Sequence, residues 1–479
     1  MNAERFPAPL YVETVLAPNF QDAQRHFLDA LLEIHYAHTR MLARQGIISS
    51  SEERTLLNAL DKLNRKEIAT AVYDGSHEDL FFYVERLLEQ IAGPVAGKMH
   101  TARSRNDIAI TLYRITLRQE LLDLASVILQ VRSALIDLAA QHVETVMPAH
   151  THTQPAQPTT LAHYLLAAVE FLGRDAARVQ QAFGRVNLSP MGACAITTTA
   201  FPIDRVYTAE LLGFDGLAEN SYGAIASIDY LTESAAAVAT AMVNAGKFVQ
   251  DLLLWSTREF RFLRLTDAYV QSSSIMPQKR NPVALEHSRI LASRALGEAQ
   301  AVLTCPHNTP FGDINDSEDD LQPLVFTMFA DASRSLRLLA GLLRTAEVDR
   351  DRLARRAGAD FMTVTELADT LVREAGYSFR EAHSMVSSAV HAAGSDDRPS
   401  AIAEALLSQN PSVPLTREFV ERSLDPVHFV NIRRIVGGPA PEVVRESLKR
   451  ARAEQSTIEE WIRARRQQLD TARRGNTGV

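Results

Sequence analysis

Three stretches of this chain concentrate small hydroxyls, amides, imidazoles and cations. The first is His100-Thr101-Ala102-Arg103-Ser104-Arg105-Asn106-Asp107. The second is Pro148-Ala149-His150-Thr151-His152-Thr153-Gln154-Pro155-Ala156-Gln157-Pro158. The third is Gln271-Ser272-Ser273-Ser274-Ile275-Met276-Pro277-Gln278-Lys279-Arg280-Asn281-Pro282. Each stands just before a long apolar helical pattern. Asn106 or Asp107 suits the cap of a helix beginning near Ile108. Thr159 or Thr160 suits the cap of a helix entering Leu161, and Asn281 is a natural N-cap with Pro282 at the first helical position. Helix N-termini carry free N–H groups and a partial positive charge, so they favour carboxylates. Any one stretch alone is accounted for as an ordinary turn and cap. All three together, with the same polar chemistry, point to a small polyanion held where three such ends converge.

The elements that must position them are helical. Between Arg118 and Gln141 the polar residues Gln119, Asp123, Ser126, Gln130, Ser133, Asp137 and Gln141 recur at threes and fours, and almost everything between them is apolar. That is one thin polar stripe on a helix apolar around the rest of its circumference. Leu161–Val179, Leu231–Trp255, Leu285–Val302 and Val325–Leu343 read alike, which predicts a bundle. One chain can hardly cover five such helices, so association through the bundle is expected, with a large monomeric core as the alternative. The flanks are shorter and more charged. The expected division is an N-terminal helical domain over 1–107, a central bundle over 108–355 and a C-terminal helical domain over 356–479. The tail Arg473 to Val479 reads as polar and irregular.

Composition narrows the function classes. A chain of 479 residues is long for one simple core. Its 46% hydrophobic and 23% charged residues are ordinary for a globular protein. A net charge of -8 gives no general reason to expect nucleic acid or a membrane surface as partner. Cys194 and Cys305 form no CxxC, which argues against a zinc ribbon or disulfide framework and fits a reducing cytoplasm. No secretory signal, bilayer-spanning run or internal repeat is legible.

The three stretches resemble the signature regions of the fumarase/aspartase superfamily, with SSSIMPQKRNP as its diagnostic loop. Within it, HTARSRND, the segment Thr151 to Pro158, MPQKRNP, Ser189-Pro190-Met191-Gly192-Ala193 and Val436 to Glu442 are most similar to argininosuccinate lyase. The similarity runs over about residues 12 to 455. It implies an all-α, three-domain fold whose central bundles form a twenty-helix core in a homotetramer, each active site drawing the three segments from three subunits. It implies a carbon–nitrogen lyase acting by anti β-elimination on an N-substituted aspartate to release fumarate, with no cofactor and no metal. Ser273 would take the Cβ proton. His152, paired with Glu286, would protonate or orient the leaving nitrogen. Lys279 and Asn281 would stabilise the doubly charged aci-carboxylate, because donors fixed at developing charge are the usual solution to poor carbon acidity. Ser104, Asn106, Thr151 and Gln154 would hold the carboxylates, with Arg105 adding charge. His150, where the branch usually has an aromatic, would only fill space.

The chain departs from argininosuccinate lyase in the half that would grip arginine. The positions of the family's tyrosine, glutamine and lysine hold Ile314, Asp319 and Gln322, and an arginine position holds Ile228. Asp313, Asp316, Glu318, Asp319 and Asp320 add anions instead. Either this acidic run is a solvated loop, or it forms a rim that disfavours a carboxylate-bearing leaving group and suits a neutral or cationic amine. Argininosuccinate itself, a lactonising relative and a non-catalytic structural homologue remain the alternatives.

Overall fold

The computed structural model describes residues 6–478. It is an all-α architecture built around five long helices, α1 (Arg105–Gln141), α2 (Leu161–Val186), α3 (Asp229–Ser256), α4 (Val283–Thr304) and α5 (Gln322–Leu343). Sheet is confined to two-stranded pieces. The longest is a hairpin between Val146–Thr151 and Gln154–Thr160, whose register shifts at Ala149/His150.

Cross-helix contacts fix the direction of every strut. Arg118 donates to Asn187 at 3.0 Å and Arg132 to the Val169 carbonyl at 3.1 Å, so α1 and α2 run antiparallel. Arg185–Glu233 at 2.9 Å and Tyr164–Asp251 at 2.6 Å make α2 and α3 antiparallel. Arg289 donates to Gln250 at 2.6 Å, while Ser288 meets Ser335 and Arg294 meets Asp331, so α3–α4 and α4–α5 alternate in the same way. The bundle therefore has two ends. At one lie the start of α1, the end of α2 and the start of α5. At the other lie the start of α2, the end of α3 and the start of α4. With 37 residues in α1, the two are about 55 Å apart.

One apolar cluster fills the bundle. A second, under Leu28–Arg44, Ser50–Asp61 and Leu80–Ala92, also takes Ile108 and Ile115 from α1 and Met191 and Leu212 from the segment after α2. A third joins the helices between Leu367 and Leu424. The last helix, α6 (Pro441–Thr477), does not belong with that third cluster. Val444, Leu448, Ile458 and Ile462 pack it into the bundle cluster, so the expected unit 356–479 is split. The expected irregular tail is also corrected. The helix runs to Thr477, where Arg473 pairs with Glu33, Asn476 donates to the Glu33 carbonyl at 2.9 Å, and the Asn476 carbonyl accepts from Arg40 at 2.8 Å. Partners distant in sequence hold it there; Val479 lies outside the described residues.

Candidate active site

The first segment folds around Asp107. The helix starts at Arg105, and its cap is Ser104, not the expected Asn106 or Asp107. Asp107 sits three positions in and accepts the Ser104 N–H at 2.9 Å, the reciprocal half of a capping box. Its other oxygen accepts the N–H groups of Gly192 and Cys194, both at 2.9 Å. Burial pushes this carboxyl up to about 6 despite three N–H donors pulling it down. Gly192 has φ 86°, and a Cβ there would lie 2.6 Å from Arg205 Cγ, so the turn requires glycine. Asn106 donates to the Ala195 carbonyl at 3.1 Å, which ties the loop and the turn into one rigid piece.

Beneath it, Arg103 is buried. It donates to His35 Nδ1 at 2.9 Å and lies 3.5 Å from Glu85, and His38 contacts the Thr101 carbonyl at 2.9 Å. Burial drives both histidines well down, His38 to about 3, so they support the loop as neutral rings. Arg105, expected to add charge for substrate, is already held by Glu78 at 3.0 Å and Asp79 at 2.9 Å. Its cation is largely neutralised where it stands.

The acidic run is no free solvated loop. Two short 3₁₀ turns, Asn315–Ser317 and Asp319–Leu321, bring it onto the start of α1, where buried Tyr113 donates to Asp319 at 2.6 Å. A cavity of about 250 Å³ lies between them. Asn106, Ala109 and Tyr113 line it from one face of α1, and Asp313, Glu318, Asp319 and Asp320 from the loop. Burial, and a hydrogen bond that protonated Glu318 donates to the Asp313 carboxylate, raise the Glu318 carboxyl well above the usual range, and burial also raises Asp319. Gln322 is buried under the loop, donating to the Glu318 carbonyl at 3.4 Å.

The second segment is the turn of the hairpin. His152 and Thr153 take φ of 50° and 63° at its tip, leaving Thr151, His152 and Gln154 exposed. The hairpin leads to Thr160, which caps α2 as expected by accepting the His163 N–H at 3.2 Å. His150 packs against Phe260, ring centroids 6.0 Å apart, and its pKa is lowered by burial.

The third segment is an exposed loop closed at its neck, where Gln271 pairs with Asn281 and Ser272 with Arg280. Asn281 therefore does not cap α4. It is held extended in this ladder, and Pro282 takes the cap position without a side-chain bond. Ser273 Oγ accepts the N–H groups of Ile275 at 3.4 Å and Met276 at 3.1 Å. Lys279 is exposed on the same loop, and Glu286 is exposed in the first turn of α4.

Two family models match the chain: a lyase family over residues 20–297 and the C-terminal region of argininosuccinate lyase over residues 361–431. It is 41% identical over 467 residues to "Argininosuccinate lyase 2" of Agrobacterium fabrum, covering 96% of this chain and 93% of that protein. It is 39% identical over 455 residues to the argininosuccinate lyase of Methanosarcina acetivorans, covering 94% and 92%. The chain belongs to the fumarase/aspartase superfamily, in its argininosuccinate lyase-like branch. Its fold overlays an EDDS lyase variant with bound fumarate at a TM-score of 0.87 and 32% identity, covering 97% of this chain and 95% of that one. A 3-carboxy-cis,cis-muconate lactonizing enzyme from Pseudomonas putida shares the fold at a TM-score of 0.73 and 20% identity. The chain is a carbon–nitrogen lyase.

Within one chain the expected site residues fall into two separate groups. Ser104, Arg105 and Asn106 stand at one end of the bundle. Thr151, His152, Gln154, Ser273, Lys279, Asn281 and Glu286 stand at the other. Within one chain no hydrogen bond joins His152 to Glu286 or to Ser273 among the described residues. Sequence reasoning missed Tyr113, Asp107's clamp on the 192–194 turn, and the Glu78/Asp79 grip on Arg105. Tyr113 had a signal: it lies seven residues after Asn106, two turns along the same helix face. The others join residues distant in sequence and left no local signal.

Proposed function

We propose that this lyase cleaves the C–N bond of an N-substituted aspartate by anti β-elimination, releasing fumarate and an amine, in a homotetramer whose sites each combine segments from three subunits. The separation of the first segment from the other two by about 55 Å carries this reading, since no single chain can close on a dicarboxylate only a few ångströms long. Large apolar side chains left exposed on the bundle, Val243 and Leu254 on α3 and Ile290 and Leu303 on α4, supply a face for that association.

In the assembled site Ser104, Asn106, Thr151 and Gln154 hold the carboxylates, Ser273 removes the Cβ proton, and Lys279 with Asn281 stabilises the aci-carboxylate. A serine hydroxyl is a weak base unless its anion is favoured. Two backbone N–H groups already point at Ser273 Oγ, and Lys279 shares its loop. Glu286 of one subunit orients His152 of another beside the leaving nitrogen. The carboxylates of the 313–320 run, seated beside Asn106, make the leaving group a neutral or cationic amine rather than one bearing its own carboxylate.

The test is complementation. Ser273→Ala and Asn106→Ala are each expected to be inactive as pure tetramers. Mixed tetramers regain part of the activity, because some sites draw every segment from unmutated copies. Activity is read as fumarate absorbance with a panel of amines. No recovery in demonstrably mixed tetramers refutes the shared site; no fumarate chemistry with any amine refutes the reaction.

A further inference from the structure

A second cavity, of about 660 Å³, lies between the 270–282 loop and the segments 256–265 and 347–349. Of its lining residues, only Lys279 and Asn281 take part in the proposed reaction. Its lining carries Arg258, Arg261, Arg264, Lys279 and Arg280 against only Glu347 and Asp349. Both carboxylates are engaged: Glu347 lies 3.4 Å from Arg264, and Asp349 caps the helix Arg350–Ala357 by accepting the Arg352 N–H at 2.9 Å. Arg280 is held by Asp267 and donates to the Leu265 carbonyl at 2.8 Å. The side chains of Arg258, Arg261 and Lys279 have no hydrogen-bond or ion-pair partner among the described residues. Three unpaired cations around one cavity, on a chain of net charge -8, repel one another unless an anion joins them. Arg261 is also held at φ 50°, a conformation uncommon for a residue with a side chain.

We propose that this cavity binds a small polyanion, phosphate or dicarboxylate, and that the bound anion holds the Ser273–Lys279 loop back from substrate. Lys279 is shared between the cavity and the loop's chemistry, so an anion that draws Lys279 against Arg258 and Arg261 favours the loop position described here over one closed on substrate. Such an anion opposes loop closure without occupying the carboxylate site, and by linkage anion and substrate weaken each other's binding. The inhibitory part of this proposal rests on the reading of the loop as catalytic; the binding part does not.

The test uses the tetramer and Arg258→Gln/Arg261→Gln, two exposed positions outside the catalytic set, with inorganic phosphate and fumarate as probes and chloride at matched ionic strength as control. Calorimetric titration reads binding and steady-state kinetics reads inhibition. Phosphate is expected to bind the unmodified enzyme, to raise the apparent KM, and to bind the double variant about tenfold or more weakly, because two charge-assisted contacts are lost. Without phosphate the variant keeps its kcat/KM. Fumarate titrated into Asn106→Ala, whose carboxylate site is disabled, identifies a dicarboxylate as the occupant if its residual binding is lost on adding the two arginine changes. Phosphate inhibition that is unchanged in the double variant overturns the proposal, as does the absence of binding by both probes. Loss of lyase activity with every amine would instead sink the proposed reaction, while the calorimetric arm still reads the cavity.

Discussion

Asp320→Asn isolates the charge of the acidic cavity from its architecture. Asp319 is a poor choice, since its carboxylate accepts the Tyr113 hydroxyl at 2.6 Å, and Glu318 and Asp313 share a hydrogen bond. Asp320 lines the same cavity, is exposed, and has no bonded partner among the described residues. The substitution therefore removes one negative charge and little else. Two unit charges about 6 Å apart attract by about 3 kcal/mol at an effective dielectric near 20 and by under 1 kcal/mol in bulk water. For an exposed carboxylate at the edge of a cavity the value lies toward the lower figure, about 1 to 1.5 kcal/mol, or roughly tenfold in affinity. The assay is kcat/KM for fumarate consumption with a matched pair of amines, one carrying a second ammonium group and one neutral in its place. The ratio of cationic to neutral kcat/KM is expected to fall roughly tenfold in Asp320→Asn, mostly through KM, with the neutral amine nearly unaffected. Raising ionic strength should shrink the unmodified enzyme's preference in the same direction. An unchanged ratio, or an equal loss for both amines, refutes the assignment of this cavity to the amine.

Glu318 adds a pH dependence whose sign follows from its raised titration. Burial and the neighbouring Asp313 carboxyl keep a proton on Glu318 above the ordinary carboxylate range, so the Glu318 charge is present only above the raised value and is lost as pH falls through it. Preference for the cationic amine should therefore strengthen as pH rises through that window, as a pH profile of the two-amine ratio would show; a flat or inverted profile counts against Glu318. Gly192→Ala should lower stability by about 1 to 3 kcal/mol, because φ of 86° and a clash with Arg205 must both be relieved. Arg205 cannot simply swing aside, since its guanidinium donates to the carbonyls of Met191, Ala218 and Glu219. Thermal unfolding checks this, and an unchanged Tm would show that the turn adapts. Argininosuccinate should be cleaved far more slowly than an N-substituted aspartate lacking the distal amino-acid group. Each missing charge-assisted contact is worth about 1.5 to 3 kcal/mol. Direct comparison of kcat/KM decides it, and a faster reaction with argininosuccinate would return the chain to that specificity.

By itself the sequence determined the bundle, the family and the three polar segments. Each is written locally: apolar stripes at helical spacing force long buried helices, and the segment motifs are runs of a dozen residues or fewer. Thr160 capped its helix as expected because an N-cap depends on residues within one turn. The other two caps were decided by partners out of local reach. Asp107 is drawn inward to the Gly192–Cys194 turn, which leaves Ser104 to cap, and Asn281 is held extended opposite Gln271. The tail looked irregular because its polar residues have no local reason to order; Glu33 and Arg40, more than 400 residues earlier, give them one. The acidic run could be read either as solvent-facing or as a wall, since charge alone does not say what lies opposite. Only the tertiary structure laid it across the start of α1 beside Asn106 and Tyr113. It likewise showed that Arg105 is already neutralised by Glu78 and Asp79. The physical reason is the same throughout: side-chain type and spacing specify what a residue can do, while the long-range pairing of helices specifies which other charges it meets.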